Sequence, residues 1–527
     1  MDAPRQKLMN ERATVVATTT FVVDDWLEKE EAMFARNYPR AYSTIKAMTS
    51  TTEETARAIA LKLRARGWVA FLVGGCVRDL LRGRHPKDFD LSTDAPPDQV
   101  MGLFPGAVLV GAHFGVVLVD GVEVATFRSE SAYGDGRHPD QVTFETDPAK
   151  DVLRRDFTIN ALMLDPLMLE PLMSDPLQNT SQANIAGPPT PLAPSRIETI
   201  LLPPRLDPAD VIDRVGGIAD LNHGIVRAIG DPLRRFEEDH LRMLRAVRFA
   251  ARFRFRIHPS TLEAIQSLAP MIHRTAAERI RDELVRILTE GGARNGFELL
   301  DRTGLLNHIL PEVAAMKGVA QPPEFHPEGD VWVHTLIMLD GLRAPSAALA
   351  MGVLLHDVGK PPTFRIAERI RFDGHVEAGL KLGEEILKRL RFSHDDASQA
   401  LALIAHHMRF GEVRRMKEST VKRFLRLPRF EDHLELHRLD CSSSHGGLDN
   451  YRFMRERFEH ATPEEVRPPR LLTGAHLIAA GYQPGPAFAK ILESVEDAQL
   501  EGRVTTVEQA LELAKSVHND LQKSQTP

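Results

Sequence analysis

The chain of 527 residues has only two cysteines, Cys76 and Cys441. That excludes a disulfide framework and a thiolate zinc site, and it suits a reducing compartment. No apolar run approaches the roughly 18 residues of a membrane-spanning helix, so no membrane partner is expected. The opening MDAPRQKLMNERATVV carries charges and no sustained apolar stretch, so no secretory signal is expected and the predicted location is cytoplasmic. Excess positive charge is missing too: the formal net charge is −7. A nucleic-acid partner therefore cannot be read from net charge and would need a local basic surface. No internal repeat is apparent. What the chain does have is length for several domains and a 43% hydrophobic fraction, enough for ordinary cores.

Residues 1–50 read as a weakly patterned extension. A helix is expected from the Thr49–Thr52 region, with Glu53 and Glu54 in its first turn, through ARAIALKLRARG to Gly67. Strand signals follow in WVAFLVGG, KDFDLST, AVLVGAHFGVVLVDGVEVATF and QVTFET, with Asp120-Gly121 as a hairpin turn. These predict an α/β head with a mixed or antiparallel sheet over 51–232. Within it, 167–209 is rich in Pro, Ser, Asn and Thr, lacks periodicity and reads as a flexible insertion. After Asp231-Pro232 the pattern is helical, with breaks near 320–329 and 461–470. The helical part divides into a neck (233–320), a central domain (321–460) and a C-terminal module (461–527). The fold class is α+β: an N-terminal α/β head on a long all-α body.

Three motifs in the first half carry chemistry. In FLVGGCVRDLLRGRHPKDFDLST, an apolar run meets Gly74-Gly75, then Arg78, then Asp88 and Asp90 around Phe89. In extended backbone, residues i and i+2 share a face, so the two acids project together while Phe89 turns inward. Two carboxylates beside a glycine turn suit a divalent cation and a polyphosphate. A bare D-x-D is common on solvated strands; its place after G-G-x-x-R-D is what gives it weight. The second motif, Arg154-Arg155-Asp156-Phe157-Thr158-Ile159-Asn160, can bind a triphosphate and a ribose hydroxyl. Alone it would read as a charged helix start. In the third, Asp239, Arg242, Arg245 and Arg248 recur every three residues, along one slowly winding helix face. The bland reading is a solvated salt-bridged face; the sharper one is a set of hydrogen-bonding edges that read a nucleobase.

A fourth pattern lies in the body: His334, then His356-Asp357 ending an apolar run before Gly359-Lys360, then His375, His406-His407 and Asp440. Imidazole and carboxylate together suit Mg²⁺, Mn²⁺, Ni²⁺ or Fe²⁺ rather than structural zinc.

Taken in order, the head motifs resemble those of the class II tRNA nucleotidyltransferase and bacterial poly(A) polymerase family. GGCVRD with KDFDLST is similar to its motif A and RRDFTINA to its motif B. DRVGGIADL and AIGDPLRRFEEDHLRMLRAVRFAARF are similar to the stretch ending in its motif D, and TAAERIRDEL to its neck motif. The resemblance covers about 55–165 and 211–310. It implies a nucleotidyltransferase-superfamily head, with Asp88 and Asp90 catalytic and holding Mg²⁺. Gly75 and Arg78 would contact the triphosphate, and Arg155, Asp156 and Asn160 the incoming nucleotide. Asp239 and Arg242 would read the base, supported by Arg245 and Arg248. The neck would bind RNA and the C-terminal module would face it. The body pattern resembles the HD phosphohydrolase superfamily, with His334, His356, Asp357 and Asp440 as its basic ligands, and His375 with His406 or His407 completing a second position. The implied activity is CCA addition to tRNA from CTP and ATP. Poly(A) polymerase, or an enzyme adding only CC or only A, stays open, although the end ELAKSVHNDLQKSQTP lacks the basic tail expected of the former. An HD phosphohydrolase with an RNA-binding head, and a non-catalytic RNA-binding protein, are the readings from other classes.

Overall fold

The computed structural model describes residues 51–110, 115–131, 141–168 and 206–523, in two compact units. The extension 1–50 and residues 169–205 of the expected insertion lie outside the described residues. The first unit is residues 1–242 with 256–264; the second is 243–255 with 265–527.

Among the described residues the first unit begins with helix α1 (Thr51–Arg64), acidic in its first turn and basic in its last, which complements the helix dipole. Its Ala56, Ile59, Ala60 and Leu63 are buried at helical spacing, and Gly67 takes the left-handed conformation just beyond its end. Strand β1 (Ala70–Val73) and helix α2 (Gly75–Leu81) follow, then β2 (Leu91–Thr93), β3 (Val108–Leu109), β4 (Val116–Val119) and β5 (Val122–Thr126). Asp120 and Gly121 both have positive φ in the two-residue turn between β4 and β5, where Val119 faces Val122. A separate hairpin, β6 (Arg128–Ser131) with β7 (Gln141–Phe144), precedes helix α3 (Pro148–Leu153). With β8 (Met163–Leu164) and β9 (Val211–Ile212), the main sheet runs β3-β4-β5-β2-β1-β8-β9. It is mixed: β2 and β5 are parallel, and the other neighbours are antiparallel.

The D-x-D pair sits one residue before β2 rather than inside it. The alternation holds all the same. Phe89 is buried, Asp88 is exposed, and the Asp90 carbonyl accepts from the Val73 N–H at 3.1 Å.

The D-x-x-G-G stretch is a structural clamp. The Asp213 carboxylate accepts from the N–H groups of Val215, Gly216, Gly217 and Ile218 at 2.9–3.1 Å, starting helix α4 (Gly217–His223). Asp220 then accepts from Thr158 Oγ1 at 2.7 Å and pairs with Arg227 at 2.9 Å. Gly217 is required by space: a Cβ there would lie 2.2 Å from the Thr158 carbonyl oxygen. Strand β10 (Ile225–Val226), helix α5 (Pro232–Glu238), helix α6 (Leu241–Phe253) and β11 (Arg256–Ile257) follow, with β10 and β11 paired in parallel. The division between units falls within α6.

The second unit is helical. Helices α7 (Ala277–Thr289) and α8 (Ala293–Arg302) lead to α9 (Val331–Gly341) and α10 (Ala347–Leu355). The last two are apolar on almost every side because they are buried on almost every side, and Asp330 and Ser346 cap their first turns. Helices α11 (His375–Arg389), α12 (His394–His406) and α13 (Phe430–Ser443) complete the bundle around them. The last helices, α14 (Ala487–Leu500) and α15 (Val507–Lys523), contribute Ile491, Val495, Ala498, Ala510 and Ala514 to a core of their own. Among the described residues no helix is long and apolar enough to cross a membrane.

Gly217→Ala is expected to destabilise the first unit by on the order of 1–3 kcal/mol, because the backbone it meets has no flexible end to move. Thermal denaturation checks this; an unchanged melting temperature would contradict it.

Candidate functional site

Asp90 leads directly into β2, whose Leu91 is in register with Val124 of the parallel β5. Residues one step earlier, Asp90 and Glu123, therefore share the other face of the sheet, as does Ser92. Burial pushes the Asp90 carboxyl up to about 6; the neighbouring carboxylates of Glu123 and Asp88 add to the rise, and Arg155 opposes it. Burial is the larger cause and the neighbouring acids the smaller, and a divalent cation relieves both. The donor set fits Mg²⁺, which needs one or two carboxylates and keeps waters. Glu123 was not singled out from the sequence, because only the parallel pairing of β5 with β2 brings it beside Asp90.

The glycine turn beside these acids is tight for a reason. Gly74 has φ 75° and ψ −122°, and a Cβ on it would lie 3.3 Å from Arg155 Nη1. Gly75 begins α2. Arg155 reaches Ser92 Oγ at 3.2 Å and the Asn160 carbonyl at 3.4 Å. Its anchor is Asp151, a fully buried carboxylate that binds Arg154 at 2.6 Å and Arg155 at 3.0 Å. Burial works against the charge on Asp151, but the Arg155 and Arg154 guanidiniums outweigh it and hold its pKa below the usual value.

Asn160 connects two other expected residues: its Oδ1 accepts from Arg78 at 2.5 Å, and its Nδ2 donates to Asp156 at 3.1 Å. Arg78 is itself buried and also paired to Asp79 at 2.9 Å. Motif B thus lies against motif A through side chains, which its spacing in the sequence did not reveal.

The third motif divides. Asp239 is not on the helix but ahead of it, its carboxylate accepting from Leu241 N–H at 3.1 Å. Arg242 is held by Glu238 and by the Arg235 carbonyl at 3.0 Å, and Arg235 reaches back to the Arg154 carbonyl at 3.2 Å. Arg248, by contrast, is buried in the second unit, bound to Glu283 at 2.7 Å and Glu290 at 3.4 Å. Arg245 lies 3.6 Å from the same Glu283. The expected single winding face is therefore corrected: Arg248 ties α6 to α7, where TAAERIRDEL supplies the partner acid.

In the second unit, the histidines converge. His334 Nε2 is 3.2 Å from Asp440, and His356 Nε2 is 3.1 Å from Asp357. His334, His356 and Asp440 have ligand atoms all within 4.8 Å of one another; so do Asp357, His375 and His407. His356, His375 and His407 each point Nδ1 at a backbone carbonyl three residues back, at 2.8, 3.0 and 2.7 Å. A carbonyl only accepts, so Nδ1 carries the proton and Nε2 is a bare lone pair in the neutral ring. The Nε2 atoms of His375 and His407 then face each other at 3.3 Å, with Asp357 Oδ1 at 3.9 and 3.8 Å. Burial pushes His407 down to about 4, keeping it neutral. His356 Nε2 is buried without a hydrogen-bond partner. Lone pairs aimed at one another, with every Nδ1 held from behind, are the arrangement of metal ligands.

Of the two adjacent candidates for the second position, the structure brings in His407 and not His406. Neighbours on a helix diverge by about 100°, and the His406 ring instead meets Phe424 and His433, with centroids at 6.2 and 5.9 Å. Lys360 is also part of the centre, 2.7 Å from Asp357. Gly359 packs so closely that a Cβ would lie 2.0 Å from the His375 carbonyl oxygen.

Comparison with known proteins gives three matched segments. Residues 70–179 match the family described as Poly A polymerase head domain, 254–317 the probable RNA and SrmB-binding site of polymerase A, and 330–436 the HD domain. A CCA-adding enzyme of Levilactobacillus brevis is 38% identical over 268 residues, covering 50% of this chain and 57% of that protein. The chain thus spans little more than half of that relative's length in the match. One of Lactobacillus gasseri is 27% identical over 87% of this chain and 96% of its own. The fold is similar to that of the Bacillus stearothermophilus CCA-adding enzyme in complex with CTP, with a TM-score of 0.64 and 23% identity over 90% of this chain and all of that one.

His407→Ala is expected to lower the Mn²⁺ stoichiometry retained after dialysis, measured by ICP mass spectrometry, whereas His406→Ala leaves it at the wild-type level. The same loss in both variants, or in neither, would contradict the placement.

Proposed function

On the premise that the chain belongs to the class II tRNA nucleotidyltransferase and poly(A) polymerase family and carries an HD domain, we propose that it adds CCA to the 3′ end of tRNA, using CTP and ATP, in the cytoplasm. The observation that carries this reading is the acidic face of Asp88, Asp90 and Glu123 beside the Gly74-Gly75 turn, with Arg155 fixed against it. Mg²⁺ held by Asp88 and Asp90 would supply activation of the RNA 3′-hydroxyl and charge neutralisation on the leaving pyrophosphate.

The chain's own groups do the positioning. Gly74 lets backbone approach a polyphosphate without a Cβ in the way. Gly75 opens α2 with backbone N–H groups free of intrahelical partners. Arg155, pinned by Asp151, presents a fixed positive charge to the nucleotide. Arg78 acts through Asn160, holding Asp156 toward the same nucleotide. Asp239 and Arg242 offer an acceptor and a donor edge to the base, with Arg242 set at its angle by Glu238 and Arg235. Asp88→Ala and Asp90→Ala are each expected to abolish incorporation of labelled CTP and ATP into tRNA lacking its CCA end, with the melting temperature unchanged. Persistent incorporation in both variants would remove this reading.

A second activity is favoured by a separate observation, the facing Nε2 lone pairs of His375 and His407 next to Asp357. We assign to this centre metal-dependent hydrolysis of a phosphate ester such as a 2′,3′-cyclic phosphate. One of Mg²⁺, Mn²⁺, Ni²⁺ or Fe²⁺ would supply a polarised water there. Lys360, held by Asp357 and Gln321, keeps a positive charge beside the cluster. His356→Ala is expected to remove this hydrolysis and leave nucleotide addition intact; hydrolysis that survives the change would refute the assignment.

A further inference from the structure

The segment between the neck helices and the HD helices, AQPPEFHPEG, reads in the sequence only as a break. In the structure it is a closed loop. Its two ends are joined by Val331 N–H donating to the Val319 carbonyl at 3.0 Å and Gly318 N–H donating to Asp330 Oδ2 at 2.6 Å. A loop of this length with its ends clamped is compact. Phe325 stays exposed, but two of the loop's other side chains reach the HD centre. Gln321 Oε1 accepts from Lys360 Nζ at 2.6 Å, and Glu328 Oε1 lies 2.6 Å from His334 Nδ1.

His334 differs from the other ring ligands in one respect. His356, His375 and His407 lie at helix ends, where a backbone carbonyl three residues back is available to hold Nδ1. His334 is inside α9, where the carbonyls already serve the helix ladder. An imidazole there has no backbone acceptor to fix its tautomer and needs one from elsewhere. Glu328 supplies it. The carboxylate is buried, also accepts from His326 Nδ1 at 2.9 Å, and reaches the ring because Gly329 turns the chain with φ 132°.

We propose that Glu328 is the positioning residue of the HD centre. It accepts a hydrogen bond from His334 Nδ1–H, so that His334 Nε2 keeps its lone pair for an ion that Asp440 would also bind. A carboxylate behind a histidine ligand both orients the ring and raises its basicity, and its loss costs about 10–100-fold in metal affinity. The inference rests on the reading of this cluster as a metal centre.

The test is titration of the full-length protein with Co²⁺, followed by its visible absorption and by calorimetry, for wild type, Glu328→Ala, Glu328→Gln and His356→Ala. Glu328→Ala is expected to weaken Co²⁺ about 10–100-fold and to alter the absorption band. Glu328→Gln, whose amide oxygen still accepts from Nδ1, is expected to restore most of the affinity. The readout does not require turnover, so a loss of activity alone does not count. Wild-type affinity and spectrum in both Glu328 variants, with binding abolished in His356→Ala, overturn the role of Glu328 and leave the metal centre standing. A wild-type protein that binds no Co²⁺ overturns both. If Glu328→Ala fails to fold, Glu328→Gln decides: an unchanged absorption band counts against the proposal, and a shifted band with near wild-type affinity supports it.

Discussion

Crowding carboxylates is unfavourable unless a fixed cation or a bound ion answers them, and this constraint organises the head. Sheet register brings Glu123 beside Asp90, with Asp88 two residues upstream, and the pKa of Asp90 is raised first by burial and then by these two neighbouring carboxylates. The answer within the protein is Arg155, and Arg155 stays in place because Asp151 is wholly buried beneath it. An unpaired buried carboxylate would be costly, so Asp151 and the two arginines form a unit that cannot be taken apart cheaply. The glycine turn, Ser92 and Asn160 are all in contact with that unit. Gly74 in particular is glycine both because its backbone angles demand it and because Arg155 fills the space a side chain would need.

The HD centre solves the same problem with different chemistry. Its acids, Asp357 and Asp440, face imidazoles rather than guanidiniums, and Lys360 offsets part of the charge on Asp357. His356, His375 and His407, held from behind at Nδ1, turn Nε2 lone pairs toward the cluster, an arrangement that suits a cation. The two centres therefore differ in what they ask of an ion. The head offers hard oxygen ligands that suit Mg²⁺, and the body offers a mixed nitrogen and oxygen set that suits transition metals as well.

Much of this was legible in the residues. The D-x-D face, the α/β head with a hairpin at Asp120-Gly121, the helical body and the order of the histidines follow from local spacing, because periodicity and turn chemistry are local properties. What was not legible depends on contacts far apart in the chain. Glu123 became a neighbour of Asp90 only through strand pairing. Asp213 looked like part of a motif, and its action as a cap on four N–H groups required the turn to be seen. Arg248 shared the threefold spacing of Asp239 and Arg242, yet Glu283, far along the chain on α7, claims it. His406 and His407 were indistinguishable in sequence, since one step along a helix decides which ring points inward. The loop at 320–329 looked like a mere interruption because its two working side chains are isolated among prolines.

The central claim, that the head builds a defined CCA end, is tested most directly by nucleotide-by-nucleotide extension. Purified full-length protein is incubated with tRNA lacking CCA, in the presence of CTP alone, ATP alone or both, and the products are resolved at single-nucleotide length. The account predicts C addition that stops short with CTP alone, no extension of that substrate with ATP alone, and completion to CCA with both. Long adenylate tails on any RNA supplied would contradict it.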